Sequence, residues 1–134
     1  MCVIIILYKF NIITMKNIIL ILLFTVSFSF GQTKLSDFEG FWKPTANTYV
    51  NVSFWLNKEG NLQTSKYDTR NGEELQILSI SVLNDEVTVE SLCKSNQWNA
   101  ISVYSIDKYT KMLKCSTTNI LGTYEYYLEK TIKQ

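Results

Sequence analysis

Hydrophobic and polar positions alternate along most of the chain with a period of two. The clearest run is "YVNVSFWLN", residues 49–57, where Val50, Val52, Phe54 and Leu56 fall on one face and Asn51, Ser53 and Asn57 on the other. That spacing is the mark of a strand with one side against a core. Tyr49 and Trp55 share the polar side. Helical spacing is nowhere sustained. "LQTSKYDT", "LQILSISVLN", "EVTVESLCK", "AISVYSIDK", "MLKCSTTN" and "TYEYYLEK" follow, separated by "KEGN", "RNGEE", Asn84-Asp85, "SNQWN", "KYTK" and Leu121-Gly122. Each separator carries Gly, Asn, Asp or Lys, the residues of tight turns.

With a first strand opened by Phe41-Trp42 the count is eight. The connections are short, so each strand is expected to pair with the next in an antiparallel meander. Closing such a meander removes both exposed edges, which favours a closed all-β barrel. Pro44, the single proline, ends the first strand, where a missing N–H is tolerated.

Residues 17–30, "NIILILLFTVSFSF", break this pattern, being apolar and uncharged after Met15-Lys16. The run is shorter than the roughly 18–20 residues a membrane-spanning helix needs, and small residues follow it, as in a secretory signal. Cleavage is expected after Gly31. Residues 1–14 read as an extension upstream of a second start at Met15. The organisation expected is therefore 1–31 as upstream extension plus signal peptide and 32–134 as one exported domain, periplasmic or secreted. No Cys stands at the cleavage point, so no lipid anchor is expected and the exported domain should carry no membrane attachment.

Charge adds little. Of 13 Lys and Arg residues Lys9 and Lys16 lie in the leader, and the remainder against 12 Asp and Glu leaves the exported part near neutrality, about −1. Such a balance gives no reason to expect nucleic acid. The chain has no histidine, which removes the usual general base and a common metal ligand. Glu125 and Glu129 share a face of the last strand, about 13 Å apart at Cα, too far for a glycosidase pair. No enzyme activity, cofactor or metal is expected.

The first strand carries a recognisable signature. Gly40-Phe41-Trp42 resembles the Gly-x-Trp that opens the calycins, the lipocalin-like and avidin-like small barrels together with fatty-acid-binding proteins and certain bacterial protease inhibitors. "GFWKPTANTYVNVSFWLNKEGNLQTSKY" is similar in layout to the first two hairpins of avidin-like and lipocalin-like domains. The resemblance implies that Trp42 plugs the closed end of the barrel and that Gly40 lets the chain approach it closely. Two departures stand out. The only arginine, Arg70, lies in a turn rather than on the last strand against the Trp, and no two-helix lid fits between Lys43 and Tyr49.

Ligand chemistry would come from the inward faces. If Val87 and Val89 point inward, so do Ser91 and Cys93; if Ile101 and Val103 do, so does Ser105; Cys115 and Thr117 accompany Leu113, and Tyr124 and Tyr126 accompany Leu128. Ser91, Ser105, Thr117, Tyr124 and Tyr126 are thus the candidate cavity residues. Hydroxyls among apolar groups suit a small apolar or amphipathic ligand, and equally suit the half-wet end of a filled barrel. Tyr49, Trp55 and Trp98, outside the core pattern, could anchor a partner or a sugar. The functions that follow are a non-enzymatic binding protein or, alternatively, a protein-interaction module such as a calycin-type protease inhibitor. Cys93 and Cys115 are the thiols left after export, which favours a disulfide, whereas strands five and seven lie about 10 Å apart, which disfavours one.

Overall fold

In the computed structural model, residues 33–46 and 48–132 are described; the leader discussed above lies outside them. The alternating runs become eight strands: β1 (Gly40–Pro44), β2 (Val50–Leu56), β3 (Leu62–Asp68), β4 (Glu73–Leu83), β5 (Glu86–Cys93), β6 (Trp98–Ile106), β7 (Leu113–Asn119) and β8 (Gly122–Thr131), preceded by one helical turn, α1 (Leu35–Phe38). Each strand pairs antiparallel with the next, and β1 returns to β8, closing the barrel. Closure runs from Phe41 opposite Thr131 to Pro44 opposite Leu128. Trp98, which the sequence places in a loop, opens β6 opposite Cys93.

The turns use the residues expected of them. Asn57 accepts the backbone N–H groups of Glu59 and Asn61 through its side-chain oxygen, at 3.0 and 2.9 Å. Asn84 and Asp85 both take positive φ, 50° and 64°, the conformation of a two-residue hairpin turn whose twist matches the flanking strands. Asp107 accepts from the backbone of Tyr109 and Thr110, both at 2.9 Å, and so shapes the β6–β7 turn.

Hydrophobic packing collects at one end. Val52 and Phe54 of β2, Leu62 of β3, Val87 and Val89 of β5, Tyr104 of β6, Leu113 of β7 and Leu128 of β8 are all buried there. Phe54 meets Phe38 and Tyr104 edge to face, at centroid distances of 6.0 and 5.3 Å, the arrangement aromatic quadrupoles favour. Trp42, 2% exposed, donates its indole N–H to the Phe38 carbonyl at 2.7 Å. Phe38 and Trp42 together stopper that end.

One seam is loose. β3 and β4 pair only from Lys66 opposite Leu75 to Asp68 opposite Glu73, and the β4–β5 ladder shifts register between Ile77 and Ser79. A bulge of this kind bends the strand and increases its twist. β4 consequently runs on past β3 with Leu78, Val82 and Leu83 exposed.

Candidate functional site

The end opposite Trp42 is built differently. β3 brings Thr64, Lys66 and Asp68 inward, since their partners across the β2–β3 ladder are Phe54, Val52 and Val50, and opposed residues of an antiparallel pair share a face. Lys66 is 3% exposed. Its ammonium donates to Ser91 Oγ on β5 at 3.0 Å and to Ser102 Oγ on β6 at 2.9 Å. From Ser102 the hydroxyl chain continues to Thr117 Oγ1 on β7 at 2.9 Å, and from Thr117 to the Tyr126 hydroxyl on β8 at 3.3 Å and to Cys115 Sγ at 3.3 Å. Five strands thus contribute to one buried polar network.

Burial shifts the groups in it. Desolvation lowers the Lys66 ammonium to about 8 from 10.5, with the nearby Cys115 thiol opposing the shift. Burial likewise raises the Tyr104 and Tyr126 phenols, with Cys115 adding to both. Asp68 is shifted below the ordinary carboxylate range, chiefly by the hydrogen bonds from the Arg70 side chain. Arg70 grips that carboxylate with Nε at 3.1 Å and Nη2 at 2.7 Å, and its guanidinium lies 5.0 Å from the Tyr49 ring centroid.

Above the network a cavity of ≈ 510 Å³ opens to solvent, with Lys66 and Thr117 in its wall together with Leu75, Trp98, Ala100 and Tyr126. A second opening of ≈ 460 Å³ shares Val50, Arg70, Thr117, Tyr124 and Tyr126 with it, so the two are lobes of one mouth. Their size falls in the roughly 300–1,000 Å³ of small-molecule sites. Glu73 ties the rim down: its carboxylate accepts the backbone N–H of Lys94 at 2.7 Å and of Ser95 at 3.1 Å, and the Cys93 thiol donates to it at 3.5 Å.

Ser91, Thr117 and Tyr126 therefore lie together in the network, and Tyr124 stands at the rim, about half exposed. Ser105 does not belong with them. β6 turns Ser102 and Tyr104 inward, both buried, which puts Ile101, Val103 and Ser105 on the outer face. Apolar residues occupy both faces of this strand, so its alternation has two solutions, and the bulky Tyr104 fills the core.

Of the two opposing expectations for Cys93 and Cys115, the one from strand separation prevails. Cys93 and Cys115 are free thiols. Cys93 stands opposite Trp98 of β6 and Cys115 opposite Tyr104, six residues along the same strand, or about 20 Å. No disulfide reaches that far.

Lys66, Ser102 and Asp68 escaped the sequence reading. The signal for Lys66 and Asp68 lies in the β2–β3 turn: with Leu56 opposite Leu62, the face that carries Leu62 carries Thr64, Lys66 and Asp68 as well.

At the closed end, Gly40 takes φ +131°, and a Cβ there would sit 2.5 Å from Lys130 Cε. Lys130, from the last strand, holds its ammonium 5.2 Å from the Trp42 ring centroid. A cation from β8 therefore covers the tryptophan although the chain has no arginine there.

Fold and site together define a closed eight-stranded antiparallel barrel, packed at one end and open at the other over a lysine-floored cavity. The chain matches no protein-family model, no curated protein and no solved structure.

Proposed function

We propose that the protein is a non-enzymatic, exported binding protein of calycin-like type that holds a small amphipathic molecule in the open end of its barrel. The observation that carries this function is the ≈ 510 Å³ cavity, where Trp98, Tyr126 and Leu75 provide apolar wall and Lys66 and Thr117 provide polar groups. A few placed polar groups in an otherwise apolar concavity are the composition of a small-molecule site. Gly40 and Trp42 support the calycin-like assignment by their place at the start of β1, as does the cover that Lys130 gives the indole. The apolar stretch 17–30 supports export. No helix among the described residues is long and apolar enough to cross a membrane.

A protease-inhibitor-like module working through its N-terminal segment is the competing function. Against it, Leu35 packs on the core and Phe38 is buried in it, so α1 is committed to the barrel rather than presented to a partner.

Binding of the neutral, environment-sensitive dye Nile red tests the proposal. One dye should bind per barrel, and Ala100→Trp, which fills the cavity, should abolish binding, whereas Ser105→Trp on the outer face should leave it intact. Equal binding by all three proteins would place the dye outside the barrel.

A further inference from the structure

Among the charged side chains lining the cavity, one cation lacks an ionic partner. Three charged side chains line its larger lobe, Lys66, Asp68 and Arg70, and two of them neutralise each other through the Arg70–Asp68 pair at 2.7 Å. The other ion pair among the described residues, Lys114 with Glu125, involves none of the three. Lys66 is left as a cation whose recorded partners are two neutral hydroxyls, Ser91 and Ser102. An ammonium carries three protons, so one donor remains beyond those two bonds.

A buried charge is costly unless an opposite charge answers it. Here none does, although the side chain lines the larger lobe of the mouth and is only 3% exposed. The surrounding groups cannot supply the counter-charge. Burial opposes ionisation of the Tyr104 and Tyr126 phenols, and the Asp68 carboxylate is already occupied by both arms of Arg70. Resting on the binding function proposed above, we infer that the missing counter-charge belongs to the ligand: Lys66 anchors the carboxylate of an amphipathic monoanion whose apolar body lies along Leu75, Trp98, Tyr124 and Tyr126 towards the mouth. One unanswered positive charge calls for one negative charge, and the depth of Lys66 sets the ligand's orientation, head group inward.

Displacement of Nile red by dodecanoate and by dodecanol, which share a chain length and differ in the head group, provides the test. Wild-type protein should prefer dodecanoate roughly 10- to 100-fold, the value of one charge-assisted hydrogen bond in a dry site. Lys66→Met should reduce that preference to about one, and Ser105→Ala, on the outer face of β6, should retain it. Equal affinity of wild-type protein for acid and alcohol would overturn the inference while leaving the binding function standing. Retention of the preference in Lys66→Met would overturn it too, moving the anchor to Arg70 at the rim. If Nile red and both amphiphiles fail to bind, the binding function itself falls and takes the inference with it. The wild-type comparison of acid with alcohol decides the matter without any variant.

Discussion

The two ends of the barrel are made from the same eight strands and obey different rules. At the Trp42 end the inward positions are Val52, Phe54, Leu62, Val87, Tyr104, Leu113 and Leu128, all buried apolar or aromatic groups, and Phe38 caps them. At the other end the same strands turn inward Lys66, Asp68, Ser91, Ser102, Thr117 and Tyr126. A filled core stabilises a fold, whereas a buried ammonium destabilises it. Stability is thus concentrated at one end, and the other end carries polar groups whose cost the proposed ligand would offset.

The largest expected effect breaks the packed end. Trp42→Ala removes a buried ring and the hydrogen bond to the Phe38 carbonyl, and should destabilise by about 3–5 kcal/mol. Denaturant unfolding measures it. A change below about 1 kcal/mol would show that the stopper contributes little and that the two ends are alike.

The next effect has the opposite sign and comes from the open end. Lys66 titrates near 8 in the fold and 10.5 outside it, so between those values the unfolded chain holds a proton that the folded protein has released, and stability rises with pH. Below about pH 8 the full cost is present, about 3 kcal/mol. Tyr104 and Tyr126, raised by burial, act the other way once the unfolded phenols ionise above about pH 10. The unfolding free energy should therefore climb from pH 7 to about 10 and then fall. Asp68, also facing Lys66, stays ionised throughout this range, and the Cys115 thiol faces the same site. Lys66→Met should be more stable than wild type at pH 7 by about 1–3 kcal/mol, and should lose the climb. A wild-type protein equally stable at pH 7 and 10 would mean that the ammonium is well solvated and the open end is not dry.

Smaller still is Thr64→Val. Thr64 Oγ1 is buried without a hydrogen-bond partner, at the boundary between the two ends. Removing a hydroxyl that makes no bond, with little change of shape, should stabilise by about 1 kcal/mol, a rise of roughly 4–8 °C in Tm for a domain of this size. A fall in Tm would place a bound water or ligand group against that hydroxyl.

The contrast between the ends also explains what could be read from the sequence. The packed end is legible because its strands alternate cleanly: β2 offers Val52, Phe54 and Leu56 on one face, and β5 offers Val87 and Val89. The antiparallel meander, its closure and the burial of Trp42 all follow from that pattern with the turn residues. At the open end Ser91, Thr117 and Tyr126 could be found by extending an apolar alternation into polar territory. Ser102 could not, because β6 carries Ile101 and Val103 on one face and Tyr104 and Ile106 on the other, and the choice between them is made by packing in three dimensions. Lys66 was missed for a related reason. In "LQTSKYD" the inward face is polar after Leu62, and hydrophobicity alone gives it to solvent. Cys93 and Cys115 show the limit of strand counting: strand order gives the spacing between strands, but their separation along the barrel depends on register, which the turns determine.

The central claim, that one end is packed and the other accepts a ligand at Lys66, is tested most directly by a residue-resolved NMR titration of the folded protein with dodecanoate. The backbone amides of Lys66, Ser91, Ser102, Thr117 and Tyr126 should shift saturably with one ligand per barrel, while those of Trp42, Phe54, Leu113 and Leu128 stay in place. Shifts centred on the Trp42 end, or confined to the exposed residues Leu78, Val82 and Leu83 of β4, would contradict it.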